Sequence, residues 1–266
     1  MPEGDSVYQL AARLRPALDG HTLTDGEIRS GNAAGAEVTG WRILEHDTHG
    51  KHLLTRFDNG HTLHTHLRMQ GSWTVSVKGR TLPRRILPDV RIRLVVDTGT
   101  TVWGIRLPVV DLVPTGAEDT LVGHLGPDPL RSDWDPDDAE ARLNARPQQP
   151  VIHALLDQQV IAGLGNMWAN EICYLQGLYP WTPTGDVDTR RLVDRAARGL
   201  TASVTIPGMF QTTTGNRRRG ERHYVVGRAG RPCLRCGTPV VATAEVPNDP
   251  QQRRTWWCPR CQPAPA

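Results

Sequence analysis

Four of the five cysteines stand in two Cys-x-x-Cys pairs near the C-terminal end of the sequence. Cys233 and Cys236 form the first pair, Cys258 and Cys261 form the second pair, and 21 residues lie between the two pairs. Two thiolate pairs at this separation are typical of a tetrahedral structural zinc site with a β-hairpin between the pairs. The alternatives are two unrelated dithiols or a redox pair. Because so short a segment has no core of its own, bound zinc would supply its folding free energy.

The residues next to the initiator methionine combine a possible nucleophile with an acid. Removal of Met1 would leave Pro2 with a free secondary amine, which is less basic than a lysine side chain and therefore more often unprotonated at pH 7. Glu3 stands beside it and has the chemistry of a general acid or base. The pair predicts covalent catalysis by the N-terminus, and the alternative is an ordinary chain start without a role.

A glycine-containing turn precedes a predicted helix over Trp168–Gln176 and consists of Gly163-Leu164-Gly165-Asn166-Met167. The first backbone N–H groups of a helix have no partner within the helix and lie at the positive end of its dipole. Such a turn therefore suits a bound phosphate, with the Asn166 side chain as a further donor. The alternative is a simple connection between two helices.

Charge is distributed unevenly along the 266 residues, although the net charge is only +3. Residues 211–266 hold 10 arginines against 3 acidic residues, which indicates a surface for a polyanion such as a nucleic acid. Lysine is rare, and only Lys51 and Lys78 occur. The sequence lacks an apolar run of about 18 residues, and its start does not look like a signal peptide, so we expect a cytoplasmic protein without a membrane partner.

Hydrophobic periodicity predicts a helix over residues 5–19, with Asp5 or Ser6 as its N-cap and Gly20 beyond its end. From residue 22 to residue 113, short runs of alternating apolar residues predict strands of a β-sandwich or barrel. One of these predicted strands is Trp41–Leu44.

The chain changes character after residue 113. Residues 114–150 are rich in proline, glycine and acids, which indicates a linker followed by a helix start at Asp135–Asp138. Helical patterning continues to about residue 206 and places Cys173 as an inert thiol in a core. Residues 211–224 predict a polar, arginine-rich loop.

These motifs together resemble the formamidopyrimidine-DNA glycosylase / endonuclease VIII family, over nearly the whole chain. The matching segments are, in order, Pro2-Glu3-Gly4, His49–Leu54, Leu125–Leu130, Gly163–Glu171, Tyr224–Cys236 and Arg253–Gln262. Ordered motifs at both ends and in the middle of a chain are hard to obtain by chance. The Pro-Glu-Gly start is similar to the endonuclease VIII form of the N-terminal signature.

The resemblance implies an α+β fold with four parts. We expect an N-terminal β-sandwich with flanking helices over residues 1–115 and a linker over 116–136. A domain with a helix–two-turns–helix motif would cover 137–222, and a zinc finger would cover 223–266. The single zinc ion would be structural.

The resemblance also implies the activity, a bifunctional DNA glycosylase/AP lyase of base excision repair. Pro2 would attack the sugar and form a Schiff base, and Glu3 would move protons. Lys51 would pair with the phosphate beside the lesion, and β- and δ-elimination would cut the strand. The preferred substrates would be oxidised pyrimidines. The alternatives are an oxidised-purine (8-oxoguanine or formamidopyrimidine) glycosylase and a non-catalytic, zinc-dependent protein that binds damaged DNA.

The remaining family roles concern the grip on DNA. Asn166 and Arg253 would hold phosphates that flank the flipped nucleotide, and Met69 would fill the space that it leaves in the duplex. A second loop of the family carries an arginine and an aromatic residue, but here Arg106 is followed by no aromatic residue. From the resemblance as a whole we expect a monomeric protein of the bacterial cytoplasm and nucleoid, with damaged DNA as its partner.

Overall fold

The computed structural model describes residues 2–243 and 253–265. The chain forms two units: Pro2 and Ser6–His124 belong to the first, and Glu3–Asp5 and the chain from Leu125 onward belong to the second. The break after His124 falls inside the segment expected to be a linker. The predicted domain boundaries at residues 115, 136 and 222 stay predictions.

The first unit contains most of one long helix and two antiparallel sheets. Its elements are α1 (Gly4–Leu18), β1 (Leu23–Ile28), β2 (Ile43–His49), β3 (His52–Phe57), β4 (His61–His66), β5 (Ser72–Ser76), β6 (Val90–Val96), β7 (Thr101–Ile105), β8 (Val109–Pro114) and α2 (Asp119–Val122). One four-stranded sheet has the order β1-β6-β7-β5, and the other has the order β2-β3-β4-β8. Inward-facing residues of both sheets share one core with the apolar stripe of α1. The expected β-sandwich is confirmed.

Two local predictions for this unit were wrong. Helix α1 begins at Gly4, so Asp5 and Ser6 lie inside the helix instead of capping it. The strand predicted at Trp41–Leu44 runs from Ile43 to His49, because the polar residues that follow Leu44 pair with the whole length of β3. Cross-strand backbone pairing thus overrides the weak apolar alternation of this segment.

The second unit is helical before its cysteine-rich end. Its helices are α3 (Pro136–Asn144), α4 (Val151–Leu156), α5 (Asn166–Gln176) and α6 (Thr189–Thr205), and they bury one apolar core. The acidic start predicted for α3 is confirmed, since the Asp135 side chain accepts hydrogen bonds from the backbone N–H groups of Asp137 and Asp138. Helix α5 ends at Gly177, which adopts the left-handed conformation with φ of 69°. Among the described residues, none of the helices has the length and apolar character needed to cross a bilayer.

Two short strands follow, β9 (Val241–Ala242) and β10 (Trp256–Trp257), and they pair antiparallel between the two Cys-x-x-Cys pairs. Residues 244–252, in the middle of the predicted hairpin, lie outside the described residues. The cysteine-rich segment has a small core of its own, to which α5 contributes the buried Tyr174.

Candidate active site

The carboxylate of Glu3 lies at the N-terminus of α5 and is fully buried. Its Oε1 accepts a hydrogen bond from the backbone N–H of Met167 at 2.7 Å, and its Oε2 accepts from Gly165 at 2.9 Å and Trp168 at 3.3 Å. Met167 and Trp168 belong to the first turn of α5, and Gly165 is its N-cap, so the three N–H groups stabilise a negative charge on Glu3. The anion expected at this turn is, in the folded chain, a carboxylate of the same chain.

Glycines make this close approach possible. A Cβ atom on Gly165 would lie 2.5 Å from Cδ of Glu3, and a Cβ atom on Gly4 would lie 2.8 Å from Cα of Gly163. The backbone N–H of Gly4 donates to the carbonyl of Gly163 at 2.8 Å. Any larger side chain at these positions would separate the two segments. The Pro-Glu-Gly and Gly-x-Gly motifs are therefore two halves of one contact.

Asp5, which is also fully buried, anchors the same segment. Its carboxylate accepts hydrogen bonds from Nε1 of Trp168 at 3.1 Å, Oγ of Ser203 at 2.7 Å and Nε2 of Gln211 at 3.1 Å. Sequence reasoning missed this role because an acid near the start of a helix is normally a cap. The chain start is thus held by α5, by α6 and by the segment after α6.

Asn166 is the first residue of α5 and is only 7% exposed. Its Nδ2 donates to the backbone carbonyl of Arg254 at 2.9 Å, and its Oδ1 accepts from Nδ2 of Asn170 at 3.1 Å. Oδ1 of Asn170 accepts the backbone N–H of Trp256 at 2.7 Å. The two asparagines therefore tie α5 to the segment that carries Arg253, whose side chain is half-buried.

The four paired cysteines form one cluster. Their Sγ atoms all lie within 4.8 Å of one another, with 3.9 Å between Cys233 and Cys261 and 3.4 Å between Cys236 and Cys258. Tetrahedral zinc with Zn–S bonds of about 2.3 Å needs sulfurs about 3.8 Å apart. None of the four is in a disulfide, so the donor set and its spacing fit a metal ion. Cys173 lies elsewhere in the core, where burial raises the pKa of its thiol to about 12.

Glu171, a buried residue of α5, fixes the chain where it enters the cysteine-rich segment. Its carboxylate accepts the backbone N–H groups of Tyr224 at 2.8 Å, Val225 at 2.8 Å and Val226 at 3.0 Å, and also the hydroxyl of Thr213. Sequence reasoning assigned no role to Glu171. The available signal was the presence of charged and amide side chains within an otherwise apolar helix.

Lys51 belongs to the first unit and lies in the tight turn between β2 and β3, where Gly50 adopts a φ of 57°. Imidazoles surround this turn. His52 stacks on His64 with ring centroids 5.0 Å apart and meets His66 edge-on at 4.8 Å. Sequence reasoning singled out His49–Leu54 but missed the cluster, because its members lie far apart in the chain: His52 on β3, His64 and His66 on β4, and His124 after α2.

Hydrogen bonds fix where the protons of this cluster reside. Oδ2 of Asp111 lies 3.1 Å from Nδ1 of His64, and Nε2 of His64 lies 2.8 Å from Nδ1 of His52. Because a carboxylate accepts, His64 donates from Nδ1 and in turn accepts the Nδ1 proton of His52. Nδ1 of His66 accepts the backbone N–H of Arg68 at 3.0 Å, so its proton is on Nε2.

Burial is the main cause of low basicity in this cluster. It lowers the pKa of His52 to about 3, with further lowering by the neighbouring imidazoles, and the pKa of His66 to about 4, where the positive charge of Lys51 adds to the effect. Both imidazoles are therefore neutral at pH 7, and Lys51 is the cation of the turn.

Two further candidates lie in loops of the first unit. Met69 follows Arg68, which has a φ of 43°, and its side chain is 66% exposed. Arg106 has a φ of 49°, and its guanidinium pairs with Asp89 at 2.7 Å. Of the candidate residues, Pro2, Lys51, Met69 and Arg106 thus belong to the first unit, and the others belong to the second.

A two-sheet sandwich, a helix–two-turns–helix motif and a cluster of four cysteines define a class of DNA glycosylases. The chain matches the formamidopyrimidine-DNA glycosylase N-terminal domain over residues 1–105 and the formamidopyrimidine-DNA glycosylase H2TH domain over residues 125–209. The chain belongs to the formamidopyrimidine-DNA glycosylase / endonuclease VIII family. It is a DNA glycosylase of base excision repair with DNA-(apurinic or apyrimidinic site) lyase activity.

Curated relatives match over the whole length. The chain is 44% identical to "Probable endonuclease 8 2" of Streptomyces coelicolor, over 100% of this chain and 95% of that protein. It is 40% identical to "DNA-(apurinic or apyrimidinic site) lyase Nei2" of Mycolicibacterium smegmatis, over 99% and 100%. A formamidopyrimidine-DNA glycosylase of Lactiplantibacillus plantarum matches at 29% identity over 97% of this chain and 98% of its own length.

Solved structures share the fold. MutM (Fpg) of Thermus thermophilus superposes with a TM-score of 0.76 at 29% identity and covers 98% of each chain. Lactococcus lactis Fpg, solved in a complex with DNA containing an abasic site, superposes with a TM-score of 0.79 at 21% identity, over 98% of this chain and 100% of its own. At that identity the second likeness concerns the fold alone.

Proposed function

We propose that the chain removes oxidised pyrimidines from DNA and then cuts the strand by β- and δ-elimination. The substrate class is supported by the Pro-Glu-Gly start and by the higher identity to relatives named endonuclease 8 2, at 40% to 44%, than to relatives named formamidopyrimidine-DNA glycosylase, at 29% to 30%. The observation that carries the mechanism is the burial of Glu3 at the N-terminus of α5, with three backbone donors on its carboxylate. These three hydrogen bonds anchor Glu3, the residue to which Pro2 is bonded.

The proposed reaction starts once the damaged nucleotide has left the duplex, which costs less for a poorly stacked base. The Pro2 nitrogen attacks C1′ of the deoxyribose, the glycosidic bond breaks, and the base leaves with its electron pair and a proton. The sugar ring opens as O4′ takes a proton, which leaves an iminium between Pro2 and C1′. The iminium acidifies C2′, so loss of its proton expels the 3′ phosphate. Loss of the C4′ proton then expels the 5′ phosphate, and water releases the enzyme.

Glu3 and Lys51 serve this sequence as proton carrier and phosphate partner. Backbone donors to both oxygens of Glu3 favour its charged form and make it a weak base. In the proposed reaction Glu3 therefore holds a proton only briefly, while the proton moves to or from the sugar. Lys51 pairs with the phosphate beside the lesion and supplies a proton to the sugar or base. The neutral imidazoles around Lys51 add no competing positive charge at pH 7.

Three residues of the proposal grip the DNA, whose damaged form is the proposed partner. Asn166 and Arg253 hold phosphates on either side of the flipped nucleotide, and the exposed Met69 enters the gap in the duplex. The hydrogen bond from Asn166 to the backbone of Arg254 supports this assignment, because it couples the two phosphate-binding segments. A monomer located in the bacterial cytoplasm and nucleoid stays a prediction.

The metal of the proposal is one zinc ion, held by Cys233, Cys236, Cys258 and Cys261. Zinc in such a site supplies folding free energy and no chemistry of bond breaking. Arg253 lies three residues before β10, which pairs with β9 between the two cysteine pairs.

One assay on a panel of lesions tests the substrate, and borohydride trapping tests the nucleophile. We expect cleavage of duplexes with oxidised pyrimidines to exceed cleavage of duplexes with 8-oxoguanine or formamidopyrimidine. The reverse order would replace the proposal by the oxidised-purine alternative. Borohydride should trap the protein on DNA with an abasic site, and blocking the N-terminal amine should abolish trapping. Trapping that survives the block would exclude Pro2 as the nucleophile.

A further inference from the structure

An arginine-rich depression lies in the second unit, outside the residues assigned above. It has a volume of about 460 Å³ and is lined by Arg217, Arg219, Gly220, Arg222, His223 and Val226. We name these six residues the arginine pocket. Three guanidinium groups at one depression repel each other in the absence of an anion, because like charges at short range are unfavourable.

The arginines of this loop lack acidic partners, unlike other arginines of the same unit. Within the described parts of the chain, Arg217, Arg219 and Arg222 make no ion pair, whereas Arg146 pairs with Asp157. The same holds for Arg142 and Arg190, which pair with acids of α3. Glu221 is the acid of the loop, and Nδ2 of Asn216 donates to its carboxylate. The positive charge of the pocket is thus left for an external anion.

The loop is also held in place before any ligand binds. The hydroxyl of Thr212 donates to the backbone carbonyl of Arg222 at 2.9 Å, and that of Thr214 donates to the carbonyl of Glu221 at 2.6 Å. A guanidinium N–H of Arg228 donates to the carbonyl of Gly220. A fixed loop loses little conformational entropy on binding, so its charges are organised for an anion.

We propose that the arginine pocket binds backbone phosphates of DNA, as a contact separate from those of Asn166 and Arg253. Guanidinium groups bind phosphate oxygens with two parallel N–H donors, which suits a pocket with several arginines. Backbone phosphates are the anions that this enzyme meets whenever it engages its substrate. The inference rests on the proposed partner, DNA, and is independent of the proposed chemistry at Pro2.

Binding to an undamaged duplex tests the pocket without using the reaction. In the triple variant R217A/R219A/R222A we expect at least tenfold weaker binding at low salt. The plot of log K against log salt should flatten by at least about one unit, since each phosphate contact contributes roughly that much. Arg218→Ala is the matched control, because Arg218 lies in the same exposed loop but does not line the pocket. Arg190→Ala is a second control, as this arginine is paired with Asp137.

The outcomes distinguish a phosphate-binding pocket from diffuse attraction to the duplex. The single variants Arg217→Ala, Arg219→Ala and Arg222→Ala are compared with Arg218→Ala. If Arg218→Ala weakens binding and flattens the slope as much as each of them does, the loop attracts DNA only by its overall charge and the inference is wrong. Unchanged affinity and salt slope in the triple variant would also overturn the inference. A third contrary result is that inorganic phosphate stabilises the wild type but not the triple variant against heat, while the triple variant still binds the duplex normally. The pocket would then bind free phosphate and not DNA. The triple variant R217K/R219K/R222K keeps the charge and should retain the salt slope, which shows that the alanine variant loses charge and not its fold. Failure of wild-type protein to be trapped on abasic DNA would concern Pro2 alone.

Discussion

The backbone N–H of Met167 donates a 2.7 Å hydrogen bond to Oε1 of Glu3, although 164 residues separate the two in the chain. This bond and its two neighbours place a buried carboxylate at the positive end of α5. Pro2 is bonded directly to Glu3, so the amine that the proposed removal of Met1 would create is one residue away from a fixed point. The proposed nucleophile, Pro2, would therefore need less ordering before it reacts.

Glu3→Gln should reduce both stability and activity. One oxygen becomes an NH₂ group that faces a backbone N–H, so a buried donor is left unsatisfied at a cost of about 1–3 kcal/mol. Urea unfolding measures the loss, and borohydride trapping on abasic DNA measures the chemistry. Asp5→Asn is the matched control, because Asp5 is equally buried in the same segment. It should lower stability but leave more trapping than Glu3→Gln, and equal trapping in the two variants would argue against a chemical role of Glu3.

Removal of the proposed zinc ion should unfold the cysteine-rich segment and weaken DNA binding, while the sandwich of the first unit stays folded. Cys258→Ser takes one ligand from a set whose binding free energy is folding free energy. Metal content by elemental analysis should fall together with DNA affinity. Cys173→Ala is the control, because this thiol lies in the helical core. Purified protein with full activity and no stoichiometric metal would contradict the prediction.

Arg253→Ala should weaken DNA binding by about 1.5–3 kcal/mol, the range for a lost charge-assisted hydrogen bond. The plot of log K against log salt should flatten by about one unit. Arg254→Ala is the control within the same segment. The exposed Arg254 side chain is not needed for the bond from Asn166, which uses the backbone carbonyl. If Arg254→Ala abolishes binding and Arg253→Ala changes nothing, the neighbouring residue is the phosphate ligand.

Lys51→Arg should keep DNA affinity but lower the rate of strand cleavage. Arginine retains the charge, yet it does not release a proton at working pH, so a role in proton transfer is lost. Lys78→Arg is the matched control, because Lys78 is the other lysine of the chain and is exposed. Single-turnover cleavage separates rate from binding. A rate for Lys51→Arg equal to that of the wild type would restrict Lys51 to charge pairing.

The free energy of unfolding should fall with acid in a way that depends on the histidine cluster. His52 and His66 have pKa values of about 3 and about 4 in the fold, below their ordinary value of 6.5. The unfolded chain therefore binds protons first as the pH drops. The stability contributed by the two neutral imidazoles is complete above pH 6.5 and declines between that value and pH 3.

Urea unfolding at pH 7.5 and pH 5 measures this decline. His52→Gln should reduce the difference in unfolding free energy between the two pH values, because one of the buried titrating groups is gone. His21→Gln, outside the cluster and paired with Asp97, should leave the difference close to that of the wild type. A larger difference between the two pH values in His52→Gln would contradict the prediction that His52 makes the protein less stable as the pH falls.

The sequence by itself determined the class of fold, the cysteine cluster and the family. These features depend on local periodicity and on spacing along the chain, such as the two Cys-x-x-Cys pairs, the glycine turn before α5 and the short alternating strands. It also indicated the excess of arginine after residue 211, which is a matter of composition. Each of these signals is contained within a few neighbouring residues.

Only the tertiary structure decided which distant polar groups meet. Glu3 reaches α5, Asp5 reaches Ser203 and Gln211, and His52 reaches Asp111 through His64, and none of these partners follows from spacing. A buried carboxylate must find donors, but many backbone N–H groups satisfy that need equally well until the fold excludes the rest. The sequence thus specifies that these groups are polar, and the packed fold specifies their partners, because burial removes water as the alternative.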